Sequence, residues 1–146
     1  MNLSAIQTKL KLLENTTINY SRAGGGAGSI LLVTTNNDIS IWVWCYWEIR
    51  LSDRVLATAD DDTTAVVGKI AVTPRQLEGK KIIRVEMDPT YYDLHIFIEG
   101  NYELIINCES QPDGENVLLN NWELWIKDKN TAYTITCDFT IIETPF

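Results

Sequence analysis

Apolar residues recur at three- and four-residue intervals at the start of the chain, at Leu3, Ile6, Leu10 and Leu13, with Lys9, Lys11 and Glu14 elsewhere on the wheel. That spacing gathers the apolar side chains on one face and predicts an amphipathic helix over residues 3–14, ended by Asn15-Thr16-Thr17. A glycine-rich stretch, Gly24 to Gly28, reads as a turn or sheet bend, because it is too short to tether two domains. From Ile39 to Leu51 the odd positions Ile41, Val43, Cys45, Trp47, Ile49 and Leu51 are apolar. The even positions run Trp42, Trp44, Tyr46, Glu48 and Arg50. This alternation predicts one central strand, aromatic and then ionic on its second face, with the N-terminal helix as cover for the aromatic half.

Beyond a short helical stretch near Lys69 and a compact Thr73-Pro74 to Gly79 turn of helix, the period returns to two. Ile83, Val85 and Met87 alternate with Arg84, Glu86 and Asp88. After Pro89-Thr90, Leu94, Ile96 and Ile98 alternate with His95 and Phe97, and Glu99-Gly100-Asn101 turns the chain into Tyr102 to Cys108. Two last strands follow: one places Trp122, Leu124 and Ile126 on a single face, the other Tyr133, Ile135, Cys137, Phe139 and Ile141. Thr134, Thr136, Asp138 and Thr140 lie on a solvated opposite side. The expectation is a single α+β domain over residues 1–146, predominantly an antiparallel meander, with the amphipathic N-terminal helix and one or two short helices between Asp60 and Gly79.

Length and composition agree with one globular unit: 146 residues, 45% hydrophobic and 22% charged, are enough for one core and few for two. Lys9 and Lys11 interrupt the apolar run a secretory signal needs, and no apolar stretch approaches the roughly 20 residues of a spanning helix, so a cytoplasmic protein off the membrane is expected. Cys45, Cys108 and Cys137 stand far apart within strand-like runs and lack the spacing of a zinc site. They are expected to be reduced core residues.

Charge changes the picture most. Twelve Lys and Arg oppose twenty Asp and Glu, a formal net charge of −8, which disfavours a nucleic-acid backbone as partner and favours a basic protein. Between residues 85 and 126 there is no Lys or Arg. The meander there carries Glu86, Asp88, Asp93, Glu99 and Glu103, and alternation is expected to turn several of them away from the core as an acidic face. A second candidate surface is a stacking wall for a small ligand, made of Trp42, Trp44, Tyr46 and Trp125.

Other motifs carry less. The glycine loop lacks the Lys-Ser/Thr ending of a phosphate loop, and Asp60-Asp61-Asp62 lacks the spaced ligands of a calcium loop and reads as a helix start. His95, the sole histidine, needs a nucleophile brought to it by the fold before it can join a dyad. No catalytic residue, metal or cofactor is assigned.

The order of motifs resembles a widespread set of small bacterial proteins read as immunity proteins of polymorphic and contact-dependent toxin systems. The likeness is carried by Tyr20-Ser21-Arg22-Ala23-Gly24, Trp42-x-Trp44-Cys45-Tyr46-Trp47-Glu48-Ile49, Leu77-x-Gly79-Lys80-Lys81-Ile82, Asp93-Leu94-x-Ile96-x-Ile98 and Trp122-Glu123-Leu124-Trp125, over roughly residues 18–127. The resemblance implies an immunity protein that neutralises a toxin domain. Joined to the charge pattern, it leads to the expectation of a basic toxin domain, a nuclease by preference, blocked through the five acids of the meander.

Overall fold

A computed structural model describes residues 2–24, 30–61, 68–110 and 119–146. Helix α1 (Leu3–Leu10) continues into a single 3-10 turn at Lys11–Leu13. Asn2 caps it, its side-chain oxygen accepting the Ala5 N–H at 2.9 Å, which satisfies one of the amides left free at a helix start. Ile6, Leu10 and Leu13 are buried, as their spacing requires. Glu14 then fixes the helix to a strand: its carboxylate accepts the Val85 N–H at 3.0 Å, while Lys11 donates to the Val85 carbonyl at 3.1 Å and pairs with Glu14 at 3.2 Å.

Eleven strands are present among the described residues, all antiparallel to their partners. One sheet has the order β1 (Ile18–Gly24), β2 (Ile30–Thr35), β3 (Ile39–Val43), β9 (Asn120–Ile126), β10 (Thr131–Thr136) and β11 (Ile141–Pro145). The other has the order β5 (Arg54–Thr58), β4 (Tyr46–Leu51), β8 (Tyr102–Asn107), β7 (Leu94–Ile98) and β6 (Ile82–Met87). Helix α2 (Lys69–Val72) and a 3-10 turn at Pro74–Leu77 lie between β5 and β6. Inward residues of both sheets join one core, in which Trp47 and Trp122 are fully buried with Ile41, Ile49, Leu94 and Leu124. Burial of each such side chain contributes about 1.5–3 kcal/mol. The sheets are clasped at one corner, where residues 15–18 ladder with 79–82: Ile18 N–H donates to Lys80 at 2.8 Å and Gly79 N–H to Ile18 at 2.7 Å. Gly79 holds φ +85°, a conformation in which a side chain is strained.

The fold is therefore α+β with antiparallel sheet dominant, and Gly100 (φ +85°) with Asn101 (φ +67°) makes the expected β7–β8 turn. No helix among the described residues is long and apolar enough to cross a membrane.

Five expectations are corrected. The stretch Ile39 to Leu51 is two strands, because the chain leaves the first sheet at Trp44-Cys45 and enters the second at Tyr46. Unbroken alternation conceals a sheet change when inward residues serve the same core on both sides of it. Helix α1 does not cover Trp42, Trp44 and Tyr46; Glu14 and Lys11 dock it against β6, and Trp44 stays 46% exposed. The last strand turns at Cys137–Thr140, where Phe139 takes φ +61° and Asp138 accepts from the Thr136 and Thr140 hydroxyls. Thr134 and Thr136 are buried rather than solvated. Asp60 and Asp61 form a turn, with Asp61 accepting the Thr58 N–H at 2.7 Å, while Asp62 lies outside the described residues, as do Gly25 to Ser29 of the glycine-rich stretch.

Candidate functional site

The outward face of the five-stranded sheet carries much of the predicted acidic surface, and the register explains what becomes of it. Arg50 stands opposite Glu103, Glu103 opposite Phe97, and Phe97 opposite Arg84. In the adjoining row Glu48, Ile105, His95 and Glu86 are aligned. Side chains in such rows lie about 5 Å apart, close enough to pair. Arg84 bonds Glu86 at 2.9 Å and lies 4.2 Å over the Phe97 ring; His95 Nδ1 and Glu103 are 2.9 Å apart; Arg50 pairs with the nearly buried Glu48. Glu48 also accepts the Tyr46 hydroxyl at 3.2 Å. Burial, and then this bond to a carboxylate, push the Tyr46 phenol up from its ordinary value.

The five acids of the meander do not share one face. Glu86 and Glu103 point outward among arginines and His95. Asp88 and Asp93 sit at the β6–β7 turn, where Asp88 accepts the Thr90 and Tyr91 N–H groups and Asp93 accepts the Cys108 N–H at 2.7 Å. Glu99 lies at the opposite end of β7 and accepts the Lys81 N–H at 3.2 Å. The bases beside these acids come from β4 and from the first half of β6: Arg84 stands two residues before Glu86, while only strand pairing brings Arg50 opposite Glu103.

The end of the molecule near the β6–β7 turn holds a different acidic grouping. Asp93 contacts Cys108, and the next residue, Glu109, donates its N–H to Asn121 at 2.8 Å. Asn121 also meets Cys137 Sγ at 3.6 Å, next to exposed Asp138. Tyr91, 57% exposed, packs edge-on against Phe139 at 5.7 Å. Thus Asp88, Asp93, Glu109 and Asp138 belong to segments linked by contacts at this end of the molecule, where Tyr91 is exposed. Asp138 is held below the usual carboxylate range by the Thr136 and Thr140 hydroxyls.

The outward face of the six-stranded sheet mixes large aromatic residues with polar ones. One cross-strand row runs Arg22, Leu32, Trp42, Glu123, Thr134, Ile142, and the next Thr34, Ser40, Trp125, Ala132, Thr144. Trp42 and Trp44 are stacked, with centroids 6.0 Å apart and planes 16° from parallel. Trp125 is a diagonal neighbour of Trp42 on the next strand, at about 7–8 Å. Its indole N–H donates to Glu123 at 2.9 Å, and its ring lies 4.8 Å from Phe146, which is half exposed. Beside it opens a shallow cleft of about 340 Å³ lined by Thr34, Asp38, Ser40, Trp125, Lys127 and Phe146. Three of the four predicted stacking residues share this face. Tyr46 does not, since the sheet change carries it to the opposite side of the molecule.

No family model matches this chain, and no curated protein or solved structure is found to resemble it. The functional reading therefore rests on these surfaces. Among the described residues no group of three or more His, Cys, Asp or Glu is arranged to hold a metal ion. The described partners of His95 are the Glu103 carboxylate and the Phe97 ring, which orient an imidazole without presenting it with a nucleophile. Phe146, Thr34, Ser40, Asp38 and Lys127 were missed from sequence because only strand pairing brings them to Trp125.

Proposed function

We propose that this protein is a non-catalytic binding module that takes a small polar ligand with a flat ring face on the six-stranded sheet. The observation that carries the reading is the cleft beside Trp125. There two aromatic rings supply an apolar wall, while the Thr34 and Ser40 hydroxyls, the Asp38 carboxylate and the Lys127 ammonium supply a few convergent polar groups. That combination, at the lower end of the usual volume range, is what a small-molecule site requires. A ring laid on Trp125 gains stacking of about 1–3 kcal/mol, and its edge groups reach the hydroxyls and charges. The stacked pair Trp42 and Trp44 extends the platform for a longer ligand.

Titration of intrinsic tryptophan fluorescence against sugars, nucleosides and aromatic metabolites tests the reading. A saturable change is expected with one class, abolished in Trp125→Ala; no saturable response across the panel, or one that survives Trp125→Ala, removes it.

A second reading, an immunity protein that blocks a basic toxin domain, is favoured by the net charge of −8 and by Asp88, Asp93, Glu109 and Asp138 lying on linked segments at the end of the molecule where Tyr91 is exposed. An exposed aromatic with acids on neighbouring segments suits a cationic protein surface. On this reading association with such a domain is fast and weakened by salt, and is lost in the triple variant Asp88→Lys, Asp93→Lys, Glu109→Lys. Association indifferent to both changes eliminates it.

A further inference from the structure

Cys45 and Cys108 are 63 positions apart in the sequence and meet at the end of one ladder. The β4–β8 register ends on Tyr46 paired with Asn107, and Cys45 and Cys108 are the residues immediately beyond that last pair, one on each strand. Cross-strand neighbours have Cβ atoms about 4.5–5.5 Å apart, closer at non-hydrogen-bonded positions, which is within small adjustment of a disulfide. Cys45 is buried and Cys108 half-buried, its Sγ donating to the Tyr92 carbonyl at 3.4 Å. Cys137 points elsewhere, to the Asn121 side-chain oxygen.

We infer that Cys45 and Cys108 form a thiol-oxidation site, closed to an intrachain disulfide by a low-molecular-weight disulfide of the glutathione type. Cys108, the more accessible thiol, attacks as thiolate on one sulfur of the small disulfide. That S–S bond breaks and one thiol leaves, having taken up a proton. Cys45 then loses its proton and attacks Cys108 Sγ, expelling the second small thiol. The protein gives up two electrons and two protons, and one disulfide becomes two thiols. The neighbouring Cys108 thiol, and then burial, raise the Cys45 thiol above its ordinary value, so the first attack falls to Cys108. The bond ties the β3–β4 crossing, immediately after Trp44, to the end of β8.

The test uses the full folded chain at low concentration with oxidised glutathione, followed by alkylation, tryptic digestion without reductant and mass spectrometry. Cleavage after Lys and Arg puts the three cysteines on separate peptides, 23–50, 85–127 and 130–146. The expected product joins 23–50 to 85–127, lighter than the two thiols by two hydrogen atoms, with Cys137 alkylated. Cys137→Ser should leave that product intact, and Cys45→Ser should stop the reaction at one glutathione adduct on Cys108. A bridge through Cys137, adducts without a bridge in the unsubstituted chain, or three alkylated thiols would overturn the assignment.

Discussion

The two outward sheet faces are built from the same alternating pattern and end in opposite states. On the five-stranded sheet every row brings acids beside bases or aromatic rings, so Glu48, Glu86 and Glu103 are matched by Arg50, Arg84 and His95. On the six-stranded sheet the rows set Leu32 opposite Trp42 and Trp125 diagonal to it, and Trp44, Tyr20 and Phe146 stay more than two-fifths exposed. A face that satisfies itself has little left to offer a partner. A face that leaves aromatic area in water retains free energy to release on binding.

The sharpest way to break this contrast is to strip the aromatic face. Replacing Trp42, Trp44 and Trp125 with Ala should lower affinity for the ligand identified by fluorescence by about 1–3 kcal/mol for each ring in contact. The far-ultraviolet spectrum should be retained, since none of the three lies in the core. Calorimetric titration of the variant measures it; undiminished affinity would make the outer aromatic face a passive one.

On the ionic face the largest effect is expected at Glu48, because it is nearly buried and accepts from both Tyr46 and Arg50. Glu48→Ala should cost about 1–3 kcal/mol in urea unfolding by leaving those donors without their acceptor. A change below a few tenths would mean that water replaces the carboxylate.

Acid should act on the same sheet through Glu14. The Val85 N–H, and then the Lys11 ammonium, hold its carboxyl below the usual carboxylate range when folded. Its stabilising contribution is therefore complete above the unfolded value and is lost as pH falls through the lowered folded one. The melting temperature should drop more steeply on acidification in the unsubstituted chain than in Glu14→Gln, and parallel curves would refute the coupling.

Arg84→Ala should be the mildest change, about 0.5–1 kcal/mol from the stacking on Phe97 and less from the exposed pair with Glu86. Comparing it with Phe97→Ala and the double variant isolates the stacking contribution.

Period-two alternation made the strands legible, and Pro89 and Gly100 located the β6–β7 and β7–β8 turns, whereas the turns at Ser52, Asn130 and Phe139 carry no glycine or proline. What it did not carry was the partner of each strand. The apolar run through Val43, Cys45 and Trp47 is continuous in sequence, yet a sheet boundary falls inside it, because both sheets face the same core. Arg84, two residues before Glu86 in the same strand, was legible as its partner, but Arg50 is brought opposite Glu103 by pairing across half the chain. Trp125 was legible as an aromatic candidate, while the Thr34, Ser40 and Phe146 that shape its cleft were not, for the same reason.

The clasp between residues 15–18 and 79–82 has one more effect. By joining β1 to the approach of β6, it makes the two sheets a single folded ribbon whose unpaired margins, among the described residues, are β5 and β11. The first begins at exposed Arg54 and has α2 against it; the second carries Glu143 and ends at Pro145, which has no amide hydrogen to donate. Both margins thus discourage the addition of a foreign strand, and a chain rich in β structure is guarded against fibrous self-association.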